Sequence, residues 1–86
     1  MTSVTLYTKD TCPYCINAKR LLDSKGVTYT EISVYDMSSE ERAEVAQKTN
    51  NYRTVPQIFI GETFIGGFDN LNELNQTGKL DAMLTA

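Results

Sequence analysis

The sequence predicts an α/β fold: a four-stranded mixed sheet in the order β-α-β-α-β-β-α-α, with helices flanking it. Three observations predict it. Runs rich in β-branched and aromatic residues stand at 4–8, 27–34, 57–60 and 63–65, the signature of strands. The first two bracket a helical pattern within about 30 residues, which makes a right-handed βαβ unit with parallel strands. The last two are separated only by Gly61-Glu62, the mark of a hairpin.

The elements follow in order. Val4-Thr5-Leu6-Tyr7-Thr8 is the first strand, and Lys9-Asp10-Thr11 is the polar loop that ends it. Cys12 then takes the N-cap position and Pro13 the first helical position, where its missing N–H costs nothing. Ile16, Ala18, Leu21 and Leu22 recur at helical spacing, and Gly26 follows as the C′ residue. Val27 to Val34 supplies the second strand.

Ser38 followed by Glu41 is a capping box that opens a second helix, running to about Thr49. Its apolar face, Ala43, Val45 and Ala46, is thin, so the helix should lie on the surface of the sheet. Asn50-Asn51 breaks it. Residues 52–56 form a loop into the third strand, Gln57 to Ile60, and Thr63 to Ile65 pairs back as the fourth. Gly66-Gly67 bends the chain away, Asp69 or Asn70 caps a third helix carrying Leu71 and Leu74, and Lys79 to Leu84 forms a final short one.

Eighty-six residues make one domain, 1–86. With 41% hydrophobic and 22% charged residues the chain has the composition of a folded globular protein, which argues against disorder. A net charge of −3 argues against nucleic acid as a partner. No apolar run approaches the length needed to cross a bilayer, and Met1-Thr2-Ser3 leads into a strand with no charged and apolar leader. A cytoplasmic monomer with no membrane partner is the expectation.

The two cysteines, Cys12 and Cys15, are the only ones in the chain. They could form a structural disulfide, a redox pair or half of a metal site. A closed zinc site needs four ligands, and there is no His and no second CxxC, so no metal is expected. A disulfide spanning two residues would constrain the unfolded chain little. The redox reading asks which sulfur ionises first, because the thiolate is the nucleophile. Cys12 faces the unpaired N–H groups and positive end of a helix, with Lys9 three residues earlier. It is the expected attacking thiol. Cys15, one turn further in, is the expected resolving thiol.

A CxxC beside a βαβ pattern is a thioredoxin-like signal. Cys12-Pro13-Tyr14-Cys15, Thr54-Val55-Pro56 and Gly66-Gly67-Phe68-Asp69, in this order and spacing, resemble a dithiol glutaredoxin of the CPYC type over Val4 to Leu84. The resemblance implies a thioredoxin-like fold and a glutathione-dependent thiol–disulfide oxidoreductase acting on disulfide-containing or glutathionylated proteins, with glutathione as co-substrate.

Residue by residue, it implies that Pro56 is cis and lies against the cysteines. It implies that Val55 offers its backbone N–H and C=O to the cysteinyl part of glutathione, with Thr54 beside it. Lys9 and Arg53 resemble the basic residues that receive the glycyl carboxylate, and Tyr14 the aromatic that walls the groove. Asp69 and Asn70 stand where the family holds the γ-glutamyl end, and Gly67 and Phe68 belong to the same glutathione pocket. Asn70 departs from the usual Asp and loses a charge. Ala43 departs from the polar or basic residue that many members carry in the second helix. Tyr7, Tyr29, Tyr35 and Tyr52 are assigned no chemistry.

Two other readings compete. A thioredoxin-like reductant recycled by a flavoprotein reductase would lack the glutathione pocket. A glutathione-ligated iron–sulfur carrier would use Cys12 from two chains, but members of that kind tend to carry a smaller residue than Pro13.

Overall fold

The structure is a computed structural model that describes residues 2–85; Met1 and Ala86, the two ends of the expected 1–86 unit, lie outside them. Strand β1 (Val4–Thr8) leads to helix α1 (Pro13–Ser24), then to β2 (Thr30–Ser33). A 3₁₀ turn (Val34–Asp36) precedes α2 (Ser39–Lys48), and β3 (Gln57–Ile60), β4 (Thr63–Gly66), α3 (Phe68–Gln76) and α4 (Lys79–Thr85) complete the chain. The sheet order is β2-β1-β3-β4. β1 runs parallel to β2 and antiparallel to β3, and β3 is antiparallel to β4. This is the expected mixed sheet.

Alternation along the strands sends opposite residues to opposite faces. Val4 and Leu6 of β1, with Ile58 and Ile60 of β3, meet Ala18 and Leu22 of α1, Leu71 of α3, and Leu80 and Leu84 of α4. Leu6, Leu22, Ile58, Leu71 and Leu80 are wholly buried, each worth roughly 1.5–3 kcal/mol in apolar burial. Three helices therefore clamp one face of the sheet. On the other face Tyr7, Phe59, Phe64 and Tyr52 form a row of edge-on and tilted rings, with centroids 5.2–5.8 Å apart.

Three boundaries differ from expectation. β2 is four residues, not the eight from Val27 to Val34, because its parallel pairing with β1 begins at Thr5↔Thr30 and ends at Thr8↔Ser33. Past that point the Ser33 hydroxyl accepts the Tyr35 N–H at 3.3 Å and turns the chain into the 3₁₀ helix. The N-cap of α3 is Gly67, not Asp69 or Asn70. Asn70 stands at the third helical position and reaches back, its Oδ1 accepting the Gly67 N–H at 3.1 Å. β4 also runs one residue further, to Gly66, which pairs with Ile58 across a register shift.

The Ser38 capping box is present in both directions, with Glu41 N–H donating to Ser38 Oγ at 3.1 Å and Ser38 N–H donating to Glu41 Oε1 at 3.2 Å. None of the residues of α2 is buried. It lies at the surface, as its thin apolar face predicts.

Candidate active site

Cys12 caps α1 with extended backbone angles, and its Sγ accepts the Cys15 N–H at 3.2 Å. Such a donor suits a sulfur that carries negative charge, and it lies at the positive end of the helix. Thr11, just before it, holds a positive φ of 56°, an unusual conformation for a β-branched residue and one that sets the direction from which Cys12 enters the helix. Cys12 Sγ also lies 3.8 Å from the Val55 carbonyl oxygen, placing the two segments side by side. The Val55–Pro56 bond is cis.

The thiols differ in surroundings. Cys12 is 6% exposed and Cys15 is 2%. Burial pushes the Cys15 thiol up to about 11, helped by its hydrogen bond to the Cys12 sulfur and opposed by the backbone of Lys9 and the charge of Lys19. Cys15 is therefore a protonated thiol at neutral pH.

A groove of about 880 Å³ opens beside Cys12. All ten residues expected to hold glutathione line it: Lys9, Tyr14, Arg53, Thr54, Val55, Pro56, Gly67, Phe68, Asp69 and Asn70. Cys15 does not; it lines a second cleft on the other side of Cys12. Tyr14 is 58% exposed and forms a free-standing aromatic wall. The charged residues along the groove are Lys9, Arg42 and Arg53 against Asp69 alone, so a chain of net charge −3 presents a cationic groove. It suits a small ligand with net negative charge.

Further residues complete the groove. Arg42 of α2 lines the groove and Ala43 does not, so the basic residue missing at 43 is supplied next door. Its guanidinium donates to the Val34 carbonyl at 2.8 Å, which steadies the wall. Tyr52, assigned no chemistry, lines the groove, and a Cβ on Gly67 would come within 2.9 Å of its hydroxyl. Tyr35, also assigned none, stands exposed at the rim. Buried Gln57 donates from Nε2 to the Tyr52 carbonyl at 3.0 Å and pins the loop that carries Arg53, Thr54 and Val55. Tyr52 was legible only as part of a Tyr-Arg-Thr-Val-Pro run, where neighbours rather than residue type signal its place.

At the far end of the groove Gly67 caps α3 without a side chain, so the N–H groups of the first turn face outward. Asn70 is not free to reach a ligand with its amide oxygen, which is engaged by Gly67 N–H. Among the described residues the carboxylate at this end is Asp69, which is exposed.

Comparison with known proteins decides the family. The glutaredoxin family model matches residues 4–65. A glutaredoxin from Pseudomonas aeruginosa is 54% identical over 86 residues, covering both chains completely, and glutaredoxin 3 of Escherichia coli is 46% identical over 84 residues, covering 98% of this chain and 99% of its own. The chain is a glutaredoxin. A solved buckwheat glutaredoxin in complex with glutathione superposes with a TM-score of 0.86 at 37% identity, covering 98% of this chain and 77% of the buckwheat one. The fold is thioredoxin-like, and the protein is a glutathione-dependent thiol–disulfide oxidoreductase. No helix is long and apolar enough to cross a membrane, among the described residues.

Proposed function

We propose that this glutaredoxin works through Cys12 as nucleophile and Cys15 as resolving thiol, with glutathione seated in the groove beside Cys12. The observation that carries the reading is the division of the two thiols. Cys12 lines the groove and accepts the Cys15 N–H, while Cys15 is buried, protonated and turned to the other cleft.

In the first half-reaction the Cys12 thiolate attacks a protein disulfide or a glutathionylated protein, and one sulfur stays on Cys12 as a mixed disulfide. The departing thiolate takes a proton. In the second half, either Cys15 or a glutathione thiolate attacks Cys12 Sγ or its partner sulfur and releases it. Glutathione then returns the Cys12–Cys15 pair to the dithiol.

The groove's own residues orient the co-substrate. Its cysteinyl part runs along the Val55 backbone, beside Thr54 and Pro56, so that its sulfur meets Cys12. The glycyl carboxylate faces the cationic end made by Lys9, Arg53 and Arg42. The α-carboxylate of the γ-glutamyl end faces the N–H groups of Phe68 and Asp69 in the first turn of α3, and the Asp69 side chain takes the ammonium. Asn70 holds that helix end in shape instead of touching the ligand. The buckwheat glutaredoxin–glutathione complex supports a co-substrate in this groove. The cationic lining supports it too, and favours neither the thioredoxin-type nor the iron–sulfur reading. Protein disulfides and glutathionylated proteins are the partners on this reading, and the protein acts as a cytoplasmic monomer.

A coupled assay with glutathione, glutathione reductase and NADPH tests the roles. Cys12→Ser is expected to lose all turnover, whereas Cys15→Ser retains turnover of a small glutathionylated substrate. Equal loss in both variants overturns the assignment.

A further inference from the structure

Cys15 opens onto a second cleft, of about 490 Å³, that meets the glutathione groove only around Lys9, Thr11 and Cys12. The charged side chains along it are Lys9 and Asp10 from the loop after β1, Lys19 from α1, Glu31 from β2 and Asp36 from the 3₁₀ turn. Lys19 stands four residues after Cys15 on α1, so the two share a helix face one turn apart. Its ammonium donates to Glu31 Oε2 at 3.1 Å, and the same oxygen accepts the hydroxyl of buried Thr8 at 2.8 Å. Three elements thus fix one positive charge beside the buried thiol. Lys9 brings its backbone to Cys15, while its side chain is an exposed loop cation.

We infer that Lys19, held in place by Glu31 and Thr8, is a positioning residue for the second half-reaction, where its ammonium stabilises the negative charge that Cys15 takes on as it attacks. The inference rests on the reading of Cys15 as the resolving thiol. It answers a difficulty that the geometry itself poses: a thiol 2% exposed has little water with which to share a developing charge. The ammonium is already ordered, so no side-chain freedom is lost when the charge appears.

The step balances without an outside oxidant. The Cys15 thiol gives up its proton, and its sulfur forms a bond to Cys12 Sγ. The bond between Cys12 Sγ and the substrate sulfur breaks. That electron pair leaves on the substrate sulfur, which takes up the proton that Cys15 lost. Glu31 stays ionised throughout, because the Thr8 hydroxyl and Lys19 hold its carboxyl below the usual range.

Rapid mixing of the reduced protein with a glutathionylated peptide, followed by acid quench and mass spectrometry, measures decay of the Cys12–glutathione mixed disulfide from about pH 7 to about pH 11.5, a range that spans the titration of Cys15. Lys19→Gln is expected to slow this decay about tenfold and to raise the pH at which it accelerates by about one unit, the equivalent of one pKa unit at Cys15. Lys19→Arg, which keeps the charge, is expected to stay within about threefold of the wild-type rate. Alkylation of Cys12 by iodoacetamide is the internal reference. An unchanged decay rate in Lys19→Gln, a slower decay with no pH shift, or an equal shift in Cys12 alkylation overturns the inference. Failure of the earlier reading looks different: the wild-type mixed disulfide would then not decay on its own.

Discussion

The Asn70 side-chain oxygen accepts the Gly67 N–H at 3.1 Å, and this hydrogen bond closes the first turn of α3 from inside the helix. A Cβ on Gly66 would collide with that same oxygen, and Gly66 has φ +118°. The glycine and the cap therefore depend on each other. Asn70→Ala is expected to lower stability by about 1 kcal/mol, and Gly66→Ala by about 2–3 kcal/mol. Denaturant titration of the double variant should show a sum larger than the measured loss, with a coupling of about 0.5 kcal/mol or more. Strict additivity contradicts the mutual dependence.

The Thr8–Glu31–Lys19 cluster makes a prediction about acid. The Thr8 hydroxyl and then the Lys19 ammonium hold the Glu31 carboxyl below its ordinary value. A depressed carboxylate stabilises the fold above its unfolded value, about 4.3, and loses that contribution as the pH falls through its folded value. The pair is partly exposed, so the contribution is about 0.5 kcal/mol. Glu31→Gln should melt lower than wild type at pH 7, and the gap should close by about pH 3. For Lys19, raised by the same partner, the sign reverses: its share is present below its unfolded value near 10.4 and is lost in alkali.

Cys15 predicts the alkaline side. Its thiol is raised from 9.0 to about 11 by burial first. A raised group contributes fully below its unfolded value and loses that contribution as the pH rises through its folded one. Under reducing conditions wild type should therefore lose about 2 kcal/mol between pH 9 and 11 relative to Cys15→Ser. Parallel stability curves for the two proteins would remove Cys15 as the cause.

Tyr52 predicts a separation of stability from binding. Its ring stacks edge-on against Phe64 at 5.2 Å, while its hydroxyl approaches Gly67 in the groove. Tyr52→Phe keeps the ring and should melt within about 0.5 kcal/mol of wild type, with any change falling on the KM for glutathione. Gln57→Leu removes the donor to the Tyr52 carbonyl and leaves a polar group unpaired beside the loop, which should cost about 1–3 kcal/mol and raise that KM together. Steady-state kinetics at fixed substrate and varied glutathione reads both.

The sheet, its strand order of types and the thiol pair were legible because each rests on a local cue: alternation in Val4–Thr8, Pro13 after Cys12, the Gly61-Glu62 hairpin. The groove was legible through resemblance, since Val55 and Gly67, which line it, carry no chemically telling side chain. Three things were not. The end of β2 depends on where β1 stops pairing, which is a tertiary fact. The cap of α3 reads backwards from Asn70, and a polar residue at the third helical position looks in sequence like one at the cap. Arg42 instead of Ala43 on the groove wall turns on the rotation of α2, and with no buried residue α2 has too weak an apolar stripe to set that angle from sequence.

That weakly buried helix gives the groove two unlike sides. The side made by Gly67 and α3 is locked by Leu71 in the core, while the side made by Arg42, Val45 and Ala46 is tied down by its own capping box and the Arg42–Val34 hydrogen bond, with none of its residues buried. Amides of α2 should exchange with solvent through local opening well before those of α1 or α3. The groove thus has one edge fixed by the core and one held only at the surface, so a ligand seated in it is framed by a rigid wall on one side and a yielding wall on the other.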